Sequence, residues 1–251
     1  MAAGGVGGAE RSAWLISRGT ATEDRIRVSH GFLSDGVAWH RLDHVETLVV
    51  TKTVAGFDKT CVQALNELIV DARSGRLGPL KFLVLDFAHA GAEDAIGAEG
   101  FDSLVSNAAD LILDAPIVSI ACARAHMTGA DLEFALGCSM LIGEQGTEYS
   151  FKSDPLTSLG IYGFLAQKIG FVRAERLMES DEVLGVAEMR DLLLLKEVAD
   201  KGAGLEGLDR FLRKRARRHN SCYGIYRAQR IAAPSIYNHM RNVSGQSTRT
   251  W

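Results

Sequence analysis

No apolar run in the chain approaches the eighteen or so consecutive residues that a membrane-crossing helix needs. Stretches such as Pro116 to Ala123 and Leu192 to Leu195 are far shorter, so no membrane partner is expected. An excess of one charge is also missing: Lys and Arg number 28 against 31 Asp and Glu, for a net charge of −3. Nucleic acid and anionic membranes both reward a strongly basic surface, so neither is expected as the main partner. Cysteines are few and scattered. Cys61, Cys122, Cys138 and Cys222 form no CxxC pair and have no histidine at zinc-ligand spacing, which argues against a disulfide framework and a structural metal. Reduced thiols and a cytoplasmic location are the expectation. Met1 to Ala9 is rich in Gly and Ala but lacks a basic segment followed by an apolar one. It reads as a frayed leader, not a signal peptide.

What is present is a well-stocked core. With 251 residues, 47% of them apolar, the chain suffices for one filled domain. Apolar runs rich in β-branched residues alternate with stretches of helical period, the pattern of a parallel sheet with crossover helices. Strands are predicted at Val37 to Leu42, Val45 to Thr51, Phe82 to Phe87, Ile117 to Ala123, Cys138 to Gly143 and Glu148 to Phe151. Between them, Gly56 to Gly75 carries Val62, Leu65, Leu68 and Ile69 at three- and four-residue spacing, with Gly75 placed to stop the helix. Further helices are predicted at about 97–113, 129–137, 160–169, 172–179 and 186–192.

The chemistry is expected at two strand-to-helix junctions. A helix N-terminus leaves N–H groups aimed beyond its first turn, and such donors suit an oxyanion. One junction is Ala95-Ile96-Gly97-Ala98-Glu99. The other is Met127-Thr128-Gly129-Ala130-Asp131-Leu132-Glu133. Small residues there admit a substrate to the backbone, although an ordinary helix start with a glycine for close packing has the same appearance.

Taken together, in this order and spacing, the two segments resemble the crotonase (enoyl-CoA hydratase/isomerase) superfamily. Its first motif is close to AAGAD, and its second runs NGxAxGGGCELAxxCD ahead of a strand and a PExxLG segment. The match to the second motif is ungapped from Ala123 to Ser139. It sets Gly129, Ala130 and Asp131 on the three glycines, Glu133 on the first catalytic glutamate and Cys138-Ser139 on the Cys-Asp pair. Leu159-Gly160 falls on the later LG. Most of residues 35 to 200 can be accommodated, and Tyr162 to Gly170 with the Gly185 region is most similar to the branch that makes diffusible fatty-acid signals from acyl thioesters.

The resemblance implies an α/β fold, a crotonase-like spiral of ββα units with a C-terminal helical trimerisation region. It divides the chain into a flexible leader (1–19), a core (20–200) and a C-terminal helical region and tail (201–251). It also implies that the N–H groups of Ile96 and Ala130, beside Gly97 and Gly129, receive the oxygen of an acyl-CoA or carrier-bound acyl thioester. Coenzyme A would then be part of the substrate, with no separate cofactor and no metal. Phe87 to Glu93 offers a rival register for the first donor, and Ile96 is preferred for its distance from the strand. Glu133 is the residue expected to move the proton.

Departures from the pattern bear on the reaction. Leu156 stands where the family's second glutamate belongs, and a two-residue shift would bring Asp154 there instead. Asp131 replaces a glycine beside the hole, where it would oppose an oxyanion unless turned away, or serve as a new base. Arg124 and Ala125 replace Asn-Gly, and His126 reads as a packed residue. The basic run Arg213-Lys214-Arg215-Ala216-Arg217-Arg218 is either a solvated helix face or, by the resemblance, a trimer-forming helix able to meet coenzyme A phosphates. The expectation is a homotrimer or dimer of trimers working through one glutamate, not a two-glutamate hydratase. The alternative is an inactive crotonase-fold subunit with a binding or assembly role.

Overall fold

Strands that read as continuous apolar runs must be covered on both faces, as parallel strands between helices are. The computed structural model describes residues 30–91, 101–114, 117–151, 159–180 and 182–215. Its first half runs β1 (His30–Ser34), β2 (Val37–Leu42), β3 (Thr47–Lys52), α1 (Lys59–Arg73), β4 (Phe82–Phe87), α2 (Phe101–Asp114), β5 (Val118–Ala123) and α3 (Gly129–Gly137). There follow β6 (Met140–Glu144), β7 (Glu148–Ser150), α4 (Leu159–Ile169), α5 (Phe171–Glu179), β8 (Val183–Gly185), α6 (Val186–Asp191), β9 (Glu197–Ala199) and α7 (Gly204–Arg215).

Seven strands form one sheet in the order β1-β2-β3-β4-β5-β6-β9. The first two pairings are antiparallel and the remaining four parallel. Side chains alternate between two cores. Leu48, Val50, Leu83, Leu85, Phe87, Ala121 and Ala123 face the larger one, which takes in residues of α1, α2, α3 and α4. Val49, Val84, Ile120, Cys122 and Ile142 face the other, against Leu208, Phe211 and Leu212 of α7. The basic C-terminal helix therefore packs on its own sheet. Its cations meet acids of the same chain, Arg213 pairing with Asp209 at 2.6 Å and Lys214 with Glu197 at 3.3 Å.

Local chemistry sets the element ends. Asp58 caps α1 by accepting from the Cys61 N–H at 2.6 Å, and Cys61, Val62, Leu65, Leu68, Ile69 and Ala72 form its buried stripe. The strand predicted over Val45 to Thr51 starts later, because Asp43–Val45 makes a 3₁₀ turn and Glu46 is left-handed at φ 49°. Three short strands, β1, β8 and β9, escaped the sequence reading. The last two span three residues each, too few for an alternation to register. Strands β7 and β8 make a separate two-stranded sheet. It joins the β5–α3 connection through Met127, whose N–H donates to Glu148 and whose carbonyl accepts from Ser150.

Candidate active site

Lys52, Phe87 and Ala123 are register partners, so β3, β4 and β5 end level with one another. Ligands in open α/β sheets bind beyond such carboxyl ends. Here α3 begins. Thr128 is its extended N-cap, and Gly129 takes φ +53°, a left-handed conformation natural to glycine. Ala130 stands in the first turn, where N–H groups point out along the helix axis.

Every residue of α3 from Ala130 to Gly137 is buried. A helix sealed on all sides gives its carboxylates no water, so each needs a partner. Asp131 and Glu133 are two positions apart, about 200° around the axis, and they point to different places. Asp131 turns back to the sheet, where its Oδ2 lies 2.7 Å from Nζ of Lys52, with the two side chains only 3% and 2% exposed. Lys52 also donates to the Ala55 carbonyl at 3.1 Å and lies over the Phe57 ring at 5.5 Å. The negative charge that the sequence places beside the first turn is thus matched by a cation at hydrogen-bond distance. Glu133 turns the other way, toward the start of α4, and its carboxyl group rests against Gly160.

The segment after β4 closes over the same helix start. The Gly91 N–H donates to the His126 carbonyl at 2.8 Å, and a side chain at Gly91 would press on Thr128 and on Asp131 Oδ2. In the rival register, six residues before the preferred one, the donor is the Ala90 N–H and Gly91 takes the place of Gly97. Ile96 and Gly97 lie outside the described residues, as do Asp154 and Leu156.

Other polar groups near these strand ends have occupations of their own. Arg124 donates to both oxygens of Asp86, at 2.7 and 2.6 Å, and Thr51 donates to Asp86 at 3.0 Å. Burial works against the Arg124 charge, but Asp86 outweighs it and holds the guanidinium above its ordinary value. Asp86 follows Phe82 and Val84 onto the α7 face, away from Lys52 and α3. His126, half-buried, has Nδ1 3.8 Å from Glu148. The Cys138 thiol, packed beyond the end of α3, is pushed up to about 12 by burial. Among the described residues no three His, Cys, Asp or Glu side chains gather as a metal site, and no helix is long and apolar enough to cross a membrane.

Two residues were missed in the sequence. Lys52 carried a faint signal, a lone cation closing the apolar strand TLVVTK. Gly160 belongs to an LG pair and opens a predicted helix, and nothing local announces that it faces a carboxylate 27 residues earlier.

No protein-family model matches the sequence, and no curated protein sequence does so significantly. Solved structures do resemble the fold. A monofunctional enoyl CoA isomerase from M. smegmatis aligns at TM-score 0.61 and 18% identity, covering 78% of this chain and 93% of that one. Pseudomonas aeruginosa DspI aligns at TM-score 0.65 and 19% identity, covering 87% and 90%. A putative enoyl-CoA hydratase from Streptomyces coelicolor A3(2) aligns at TM-score 0.67 and 15% identity, covering 93% and 91%. With the parallel strands, the α3 start and the strand ends all in place, this chain has the crotonase fold shared with the enoyl-CoA hydratase and isomerase structures.

Proposed function

We propose that the chain acts on an acyl-CoA or carrier-bound acyl thioester, with Ala130 and Ile96 N–H groups taking the thioester oxygen and Glu133 moving the proton. The observation that carries the reading is the position of Glu133. It is a buried carboxylate three residues after Ala130 on one sealed helix, directed at α4 and not at the Lys52–Asp131 pair. A preorganised oxyanion donor contributes about 3–4 kcal/mol to the transition state.

A double-bond shift is the reaction that one carboxylate can complete. Glu133 removes a proton from the carbon next to the thioester, and the C–H electron pair moves into an enolate whose oxygen is held by the two N–H groups. The same carboxyl returns the proton two carbons further along, so the double bond moves and nothing else is consumed. Hydration needs water and a second group to deliver it. With leucine at 156 and only the shorter Asp154 nearby in sequence, isomerisation fits this chain better than two-glutamate hydration. The partner is then the acyl-CoA itself. A homotrimer or dimer of trimers in the cytoplasm completes the proposal, and light scattering of the purified chain tests the assembly.

The test is calorimetric titration with acyl-CoAs together with isomerisation of a 3-enoyl-CoA and hydration of crotonyl-CoA. Turnover should fall by about 10²–10⁴ in Glu133→Gln. Equal turnover in that variant removes Glu133 from the chemistry. Absence of both binding and turnover in the wild type supports instead the catalytically inactive crotonase-fold subunit.

A further inference from the structure

Glycine inside a helix is less favourable than alanine by about 1 kcal/mol, so a glycine there calls for a reason. Outside the helices, Gly146, Gly170 and Gly202 have a backbone reason, since all three take positive φ with open space around them. Gly160 is the reverse case. It is the second residue of α4, is buried, and is not among the residues with positive φ. Its backbone would accept alanine. What excludes a side chain is space, and one group fills that space. A methyl carbon at Gly160 would lie 2.8 Å from Oε2 of Glu133 and nearer still to Oε1 and Cδ, these being its three closest neighbours.

We infer that Gly160 is a positioning residue, whose bare Cα provides the seat in which the Glu133 carboxylate is held for proton transfer. This rests on the reading of Glu133 given above. The carboxyl is the far end of a flexible side chain, so an added methyl is relieved by rotating that carboxyl away, with the fold kept. The group displaced is the reacting one. Misplacement of a catalytic group by about 1 Å costs on the order of 10²-fold in rate.

The experiment compares the wild type, Gly160→Ala, Glu133→Asp and the double variant as full chains, by 3-enoyl-CoA isomerisation and by urea unfolding. Gly160→Ala should lower kcat about 10- to 100-fold, with KM within about threefold of the wild type. Glu133→Asp, one methylene shorter, should be impaired alone yet raise kcat when added to Gly160→Ala, because the shorter side chain clears the new methyl. Unchanged kcat in Gly160→Ala beside an active wild type overturns the role of Gly160 and leaves the site reading intact. A wild type without turnover overturns both. A third comparison reads the contact without activity. Gly160→Ala should raise the urea midpoint in a Glu133→Ala background, and should fail to raise it in the wild type. The same gain in both backgrounds overturns the contact, as does failure of Gly160→Ala to fold in either one.

Discussion

Removing the charge of Lys52 tests the account of α3 most sharply. Lys52 and Asp131 are 2.7 Å apart with side chains 2% and 3% exposed. At an effective dielectric constant of about 20, that separation corresponds to about 6 kcal/mol of gross attraction. Taking both ions out of water costs several kcal/mol each, so the intact pair stabilises little in net terms. Truncating one partner is different, because the other stays buried and charged. Lys52→Met should therefore cost about 3–5 kcal/mol. Lys52→Met with Asp131→Leu should recover most of that loss, since apolar pairs of similar volume replace buried ion pairs at little cost. Urea unfolding followed by circular dichroism measures both. With a slope of about 3 kcal/mol/M, the single variant's midpoint falls by about 1–1.7 M. The reasoning is refuted by a single variant within about 1 kcal/mol of the wild type, or by a double variant as unstable as the two single losses added.

Two further predictions follow from the same physics. Burial holds His40 below its usual 6.5, against the attraction of Asp86; the unfolded chain then takes up the proton first, so stability should fall as pH drops through 6.5 toward the lower folded value. Urea midpoints between pH 7.5 and 5 should show this, and His40→Gln should flatten the slope; an unaltered slope contradicts it. Burial also raises the Cys61 thiol to about 11 and Cys138 to about 12, and drives Cys122 higher still. Thiolates are the reactive form, so these three should resist a disulfide reagent at pH 8 until urea unfolds the chain; rapid native labelling of Cys61, Cys122 or Cys138 disproves their burial.

Much of the architecture could be read from pattern alone. Phe82–Phe87 and Gly129–Gly137 are predicted to the residue, because a short apolar run between turn residues and a glycine-bounded small-residue helix leave little choice. The shorter β8 and β9 could not be read, since three residues carry no period and their pairing comes from partners far along the chain. Ala130, Asp131 and Glu133 were legible as a group because one helix start carries all of them. The opposite directions of the two carboxylates were not.

By itself the sequence determined the alternation of strand and helix, the bounds of α3 and the presence of two carboxylates on it. These follow from local residue type and spacing, which act over a few residues. Only the tertiary structure decided where each carboxylate points. The Lys52–Asp131 pair spans 79 positions, and Gly160 meets Glu133 from a different helix. A buried charge must find its partner wherever the chain returns, and the distance along the sequence puts no bound on that search.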